Sequence, residues 1–158
     1  MRILSIDYGD ARTGFALSDR TGTLAGEAWV LTEWNPERVA LAIAQAAESR
    51  GVERIVLGYP RNMDGSAGPR ARKSSDLAEL IRQQTSVPVV LWDERLTTVD
   101  AHRILTETGR HGKKRRSTVD AVAASLILDG YLRYLASEKA KESSENEKES
   151  LENAKEKP

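Results

Sequence analysis

MRILSIDYGDARTGFALSD, residues 1–19, is the stretch from which the fold is read. Arg2–Asp7 is a short β-rich run and Thr13–Asp19 is a second. The turn-forming residues Tyr8–Arg12 join them, because Gly and Asp supply the backbone freedom and local hydrogen bonds of a tight connection. A third β-rich run lies within Thr23–Leu31, so the chain opens as a three-strand antiparallel meander.

Beyond the meander the periodicity changes. Pro36 opens a helix that runs to about Arg50, with Val39, Ile43, Ala46 and Ala47 on one face and Gly51 as its stop. Arg54–Gly58 is the apolar core of a strand covered on both faces. A polar, glycine-rich loop at Arg61–Gly68 leads into a helix at Pro69–Gln84, followed by a strand at Pro88–Trp92. Thr98–Thr108 is expected as a helix closed by Gly109, Arg110–Arg116 as a basic loop, and Thr118–Ala136 as the last helix. A meander followed by alternating strands and helices makes an α/β mixed sheet with antiparallel strands at one side. The strand ends carrying Asp7, Gly58 and Asp93–Glu94 then gather at one edge, where open α/β sheets bind ligands.

The chain has 158 residues, enough for one domain with a real core, placed at Met1–Ala136. The tail Ser137–Pro158 holds one Leu, no aromatic residue and seven Glu against five Lys. It buries too little apolar surface to offset its ordering entropy, and reads as disordered or as a frayed helical extension. Hydrophobic residues make up 39% and charged residues 30%, a soluble balance. Apolar runs such as Val87–Trp92 are far too short to span a bilayer, and the first residues form a strand rather than a leader, so a cytoplasmic protein is expected. The absence of cysteine removes disulfides, thiol catalysis and Cys–zinc sites.

Three carboxylates stand where elements begin or end: Asp7 closes the first strand, Glu94 follows VPVVLW, and Asp120 opens the last helix. Clustered carboxylates repel one another unless cations neutralise them, and oxygen ligands suit Mg²⁺ or Mn²⁺. Each acid also has an ordinary structural reading. Asp7 shapes the turn before Gly9, Glu94 pairs with a nearby Arg, and Asp120 sits at the third position of a capping box begun by Ser117. Asp10, Asp19 and Asp64 read as turn or surface residues, with Asp93 as the first candidate for an auxiliary ligand. His102 and His111 read as solvated side chains.

Arg110–Arg116 places five Lys/Arg within seven residues just before Asp120. Such a run is a solvated face or, beside an acidic site, a clamp for phosphates, with Arg70, Arg72 and Lys73 extending it. Gly14 within a strand signals either close approach of another group or a bulge. Three Trp, four Tyr and one Phe form no dense platform, so base stacking is not the expected binding mode, and Trp29, Trp34 and Trp92 are assigned to core or surface packing.

Four motifs in this order resemble the YqgF family of bacteria, also called RuvC-like or pre-16S rRNA nucleases. They are IDYGDARTGFALSD (Ile6–Asp19), GYPRNMDGSAG (Gly58–Gly68), DERLTT (Asp93–Thr98) and VDAVAASLIL (Val119–Leu128). The resemblance covers nearly all of Met1–Ala136. It implies an RNase H-like fold, acidic residues at Asp7, Glu94 and Asp120, a divalent metal, and endonucleolytic trimming of the 5′ end of ribosomal RNA precursor. Two departures stand out. Ala123 and Ala124 occupy the place where junction resolvases carry a fourth acid, and Ala11 replaces a residue that is often basic.

On this basis the expected catalyst is a metal-dependent nuclease in which Asp7, Glu94 and Asp120 hold Mg²⁺ or Mn²⁺ and water attacks the phosphorus in line. Arg12, Asn62, Thr97 and Thr98 position substrate, while Lys113, Lys114, Arg115 and Arg116 hold phosphates. A Holliday-junction resolvase acting on branched DNA shares the same site. A non-catalytic nucleic-acid-binding protein needs no metal. A sugar-kinase-like ATPase is rejected because it needs a second similar domain. Monomer and homodimer both remain open.

Overall fold

The structure is a computed structural model that describes residues 1–96 and 113–156, without the side chains of 113–118. Strands β1 (Ile3–Tyr8), β2 (Arg12–Ser18) and β3 (Ala25–Thr32) form the antiparallel meander. Helix α1 (Pro36–Ser49), strand β4 (Arg54–Tyr59), helix α2 (Pro69–Gln84) and strand β5 (Val89–Asp93) follow in alternation. A short 3₁₀ turn spans Glu94–Leu96, and helix α3 covers Lys113–Lys155. The sheet order is β3-β2-β1-β4-β5, with β1, β4 and β5 mutually parallel.

Period-two alternation divides the side chains of this sheet between two cores. On one face Leu4, Ile6, Phe15, Leu17, Ile55 and Leu57 pack under α1 and α2. On the other, Ile3, Ala16, Val56 and Trp92 pack under α3 through Ala124, Ile127, Leu128 and Tyr131. Strand β4 is buried on both faces because both layers cover it, which is why its sequence shows no alternation. Helix α1 begins where Asn35 accepts bonds from the N–H groups of Glu37 (2.9 Å) and Arg38 (3.3 Å), and Pro36 supplies the preset φ of a first turn.

Helix α3 departs from the expected boundaries. It starts at Lys113, so Lys113–Arg116 are helical rather than a loop, and Asp120 lies well inside the helix. The capping-box reading of Asp120 therefore fails. A Ser–Thr–Val–Asp string satisfies a helix end only if the preceding residues leave the helical conformation, and here they do not. At the other end, the helix continues through Lys155, taking the helical alternative for the tail, with every residue from Lys139 to Glu156 exposed. Ala, Glu and Lys sustain a solvated helix by propensity and by pairs such as Lys141–Glu138 (3.6 Å). The expected helix at 98–108, Thr97, Thr98, His102 and His111 lie outside the described residues. Among the described residues, no helix is long and apolar enough to cross a membrane.

Two stability predictions follow from this packing. Deleting residues 137–158 is expected to change unfolding free energy by less than about 0.5 kcal/mol in urea titrations, since exposed residues away from the core contribute little. Gly14→Ala is expected to cost about 1–3 kcal/mol in the same assay, because the added Cβ would overlap the Asp120 carbonyl oxygen of α3.

Candidate active site

Strand β1 delivers Asp7 to the α3 face by parity with Ile3 and Ser5, and sends Tyr8 to the opposite layer with Leu4 and Ile6. The Ser5 hydroxyl donates to the Ala124 carbonyl oxygen at 2.6 Å, one helical turn beyond Asp120. Asp7 is paired in register with Gly14 on β2, and the missing side chain there lets the α3 backbone close onto the sheet. The close-approach reading of Gly14 is the correct one.

A second glycine admits Glu94. Gly58 sits beside Trp92 in the β4–β5 register, and a Cβ on it would stand 2.5 Å from Oε1 of Glu94. With that space open, the first residue after β5 turns its carboxyl inward to hydrogen-bond Asp7. Asp93 goes elsewhere. It is clasped by the Arg95 guanidinium at 2.6 Å, which holds its carboxyl below the usual range, while its charge still acts on Glu94.

Burial dominates the electrostatics. It raises the Asp7 carboxyl above its ordinary value, Asp120 raises it further, and the hydrogen bond from Glu94 and the charge of Arg70 pull it back. Glu94 is pushed up to about 7, again by burial first and then by the Asp7 charge and the shared hydrogen bond, with Arg70 opposing. Both carboxyls are therefore harder to ionise than in water, Glu94 the more clearly so. Asp120 is close enough to raise Asp7, yet its Oδ2 accepts from Nε of Arg12 at 2.9 Å. Among the described residues, no three His, Cys, Asp or Glu side chains stand together as a group able to hold a metal ion.

The structure thus brings Asp7 and Glu94 together, sets Asp120 beside them, and ties Asp120 to Arg12. Asn62 lies in the loop after β4, where its backbone N–H donates to the Ser66 carbonyl oxygen (3.0 Å) and its Nδ2 donates to the Ser66 hydroxyl (3.1 Å). Lys113, Lys114, Arg115 and Arg116 occupy the first turn of α3, and their side chains lie outside the described residues. Arg70 is more central than its sequence context indicated. It was legible only as part of a basic stretch at a helix start, whereas its charge acts on both Asp7 and Glu94.

A family model described as "RuvX: Holliday junction resolvase" matches residues 1–134. The chain belongs to the RuvX family. It is 46% identical over 134 residues to a protein of Halothermothrix orenii named "Putative pre-16S rRNA nuclease", covering 85% of this chain and 96% of that one. A protein of Ruminiclostridium cellulolyticum with the same name is 40% identical over 140 residues, covering 88% and 99%. Among solved structures, Thermus thermophilus RuvC in complex with a Holliday junction substrate superposes with a TM-score of 0.57 at 11% identity, covering 85% of this chain and 96% of that one. Fowlpox virus resolvase with its junction DNA gives 0.53 at 14%, covering 85% and 99%. At those identities the likeness concerns the fold, which is RNase H-like as the RuvX motifs implied.

The raised acids set a pH dependence. A carboxyl whose folded value exceeds its unfolded value stabilises the fold fully below the unfolded value, and that contribution is lost as pH rises through the folded one. For Glu94 the window runs from the ordinary 4.5 to about 7. The melting temperature of the metal-free protein is expected to fall across that window, and Glu94→Gln to flatten the slope. An unchanged slope in the variant, followed by scanning calorimetry, would remove Glu94 as its origin.

Proposed function

We propose that this RuvX-family chain is a divalent-metal-dependent endonuclease that trims the 5′ end of precursor 16S ribosomal RNA in the cytoplasm. The observation that carries the reading is the half-buried Asp7–Glu94 pair at the edge where β1 and β5 end, sharing a hydrogen bond beside Asp120. Two adjacent carboxyls that burial makes hard to ionise are suited to share a hard divalent cation, because a cation stabilises their charged forms and accepts oxygen ligands. Asp7 and Glu94 would hold it, and Asp120 would join once its carboxylate leaves Arg12. When bound, Mg²⁺ or Mn²⁺ supplies Lewis-acid stabilisation of phosphate charge and activates water.

The remaining work falls to the chain's own cations. Arg12, released from Asp120, and Arg70 flank the acids and neutralise phosphate oxygens, while Lys113–Arg116 hold the backbone farther along. Asn62 and the threonines at 97 and 98 orient the strand. The names carried by relatives at 40–46% identity support the ribosomal substrate. Junction cleavage is the second reading, favoured by the description of the family model. Ala123 and Ala124 on α3 offer no carboxylate where a four-acid resolvase site would carry one.

The test is cleavage of labelled precursor RNA and of four-way junction DNA with Mg²⁺ or Mn²⁺. Asp7→Asn is expected to reduce metal-dependent RNA cutting by roughly 100-fold or more, the scale on which single electrostatic groups act in active sites. Equal cutting by the variant would sink the assignment of Asp7, and cutting of junction DNA alone would transfer the site to the second reading.

A further inference from the structure

A hollow of about 380 Å³ opens on the layer opposite Asp7, between the end of β1, the turn joining β3 to α1, and the outer face of α2. Tyr8, Trp34 and Leu80 form its apolar walls, and Asp10, Lys73 and Asp76 its polar margin. Resting on the nuclease reading above, we propose that it is a stacking subsite for one unpaired nucleobase of the RNA flanking the cleaved bond.

The aromatic wall is held out ready. Trp34 is 70% exposed, although tryptophan ordinarily buries most of its surface. Its backbone is fixed on both sides. The Trp34 N–H donates to Oε2 of Glu33 (2.9 Å), and the Glu33 N–H donates to the carbonyl oxygen of Ala11 (2.9 Å). The next residue, Asn35, is the cap of α1. Trp34 is thereby tied through Ala11 to the turn between β1 and β2, and a base entering the hollow meets an indole whose backbone position is already fixed.

Charge selects a base over a phosphate. Lys73 is neutralised by Asp10 at 2.8 Å, and Asp76 makes no ion pair among the described residues. The margin therefore carries a net acceptor character that repels phosphate and receives the N–H edges of adenine, cytosine or guanine. The volume lies within the range of small-molecule pockets, which begins at about 300 Å³.

The hollow lies on the opposite sheet face from the acids, one residue along β1 from Asp7. Tyr8 directly follows Asp7, and the charge of Arg70 acts on Asp7 and Glu94 on one side and on Asp10 and Lys73 on the other. A strand whose phosphate is held near Arg70 can place a neighbouring splayed base against Trp34. A paired base cannot enter, because its edge and both faces are already occupied within the duplex. The subsite would thus favour cleavage next to a single-stranded flank.

The test uses the full chain, without metal, and RNA hairpins bearing 2-aminopurine in turn at each position of a single-stranded 5′ flank. Wild type is expected to quench one position and to bind the flanked hairpin more tightly than a blunt one. Trp34→Ala should abolish that quench and weaken binding of the flanked hairpin roughly five- to hundredfold, with blunt-hairpin affinity unchanged, and Trp34→Phe should restore most of both. Equal binding by wild type and Trp34→Ala, a quench that survives in Trp34→Ala, or no binding of either hairpin overturns the subsite. Because binding is read without metal, a Trp34-dependent quench in a protein that fails to cut would overturn the nuclease reading alone. Cutting without that quench would overturn the subsite alone.

Discussion

The close approach of α3 to β2 is the contact on which the site rests. Gly14 leaves the Asp120 carbonyl almost against the strand backbone, and the Ser5 hydroxyl reaches the Ala124 carbonyl one turn later. Together they bring Asp120 down beside Asp7, on the sheet face that β1 parity has already assigned. Any side chain at position 14 would push the helix away and carry Asp120 with it. Gly58 plays the matching part for Glu94, so two absent side chains on the strands flanking β1 make room for the acids.

What gathers there is electrostatically unfavourable in isolation. Burial raises both Asp7 and Glu94, the Asp7 charge raises Glu94 further, and Asp120 rather than Glu94 adds to the rise at Asp7. The fold answers with a hydrogen bond between these two and with an arginine for the third, Arg12 on Asp120, while the charge of Arg70 also acts on the pair. Each answer is the kind of interaction that a cation or a phosphate would replace during binding. A carboxyl raised in this way gains stability from protonation, which is why these acids need not be apart in the free protein.

Most of the architecture was legible in the sequence because its causes are local. The meander, the two helices opened by Pro36 and Pro69, and the doubly covered β4 all follow from turn chemistry and periodicity, and α2 spans Pro69–Gln84 as read. The start of α3 was misjudged at Thr118 because a basic run with a nearby glycine has the composition of a loop, and the capping pattern at Ser117 offered a plausible start. Helix-forming Lys and Arg residues lead into it instead. Trp34 illustrates the same limit: composition assigned it to packing, and only its place on a pinned turn leaves it exposed.

Sequence alone determined the fold class and the order of the elements among the described residues, and it singled out Asp7, Glu94 and Asp120 as candidate acids, since strand ends and motif spacing are encoded along the chain. The tertiary structure decided how those acids are partnered. It joined Glu94 to Asp7, gave Arg12 to Asp120 and Arg95 to Asp93, and brought Arg70 within range of the pair. Such pairings depend on angstrom-scale packing between residues as far apart as Arg12 and Asp120, and on which glycines let backbones meet. Neither distance nor burial is written in local composition, so the chemistry of each carboxyl becomes readable only after the layers have closed.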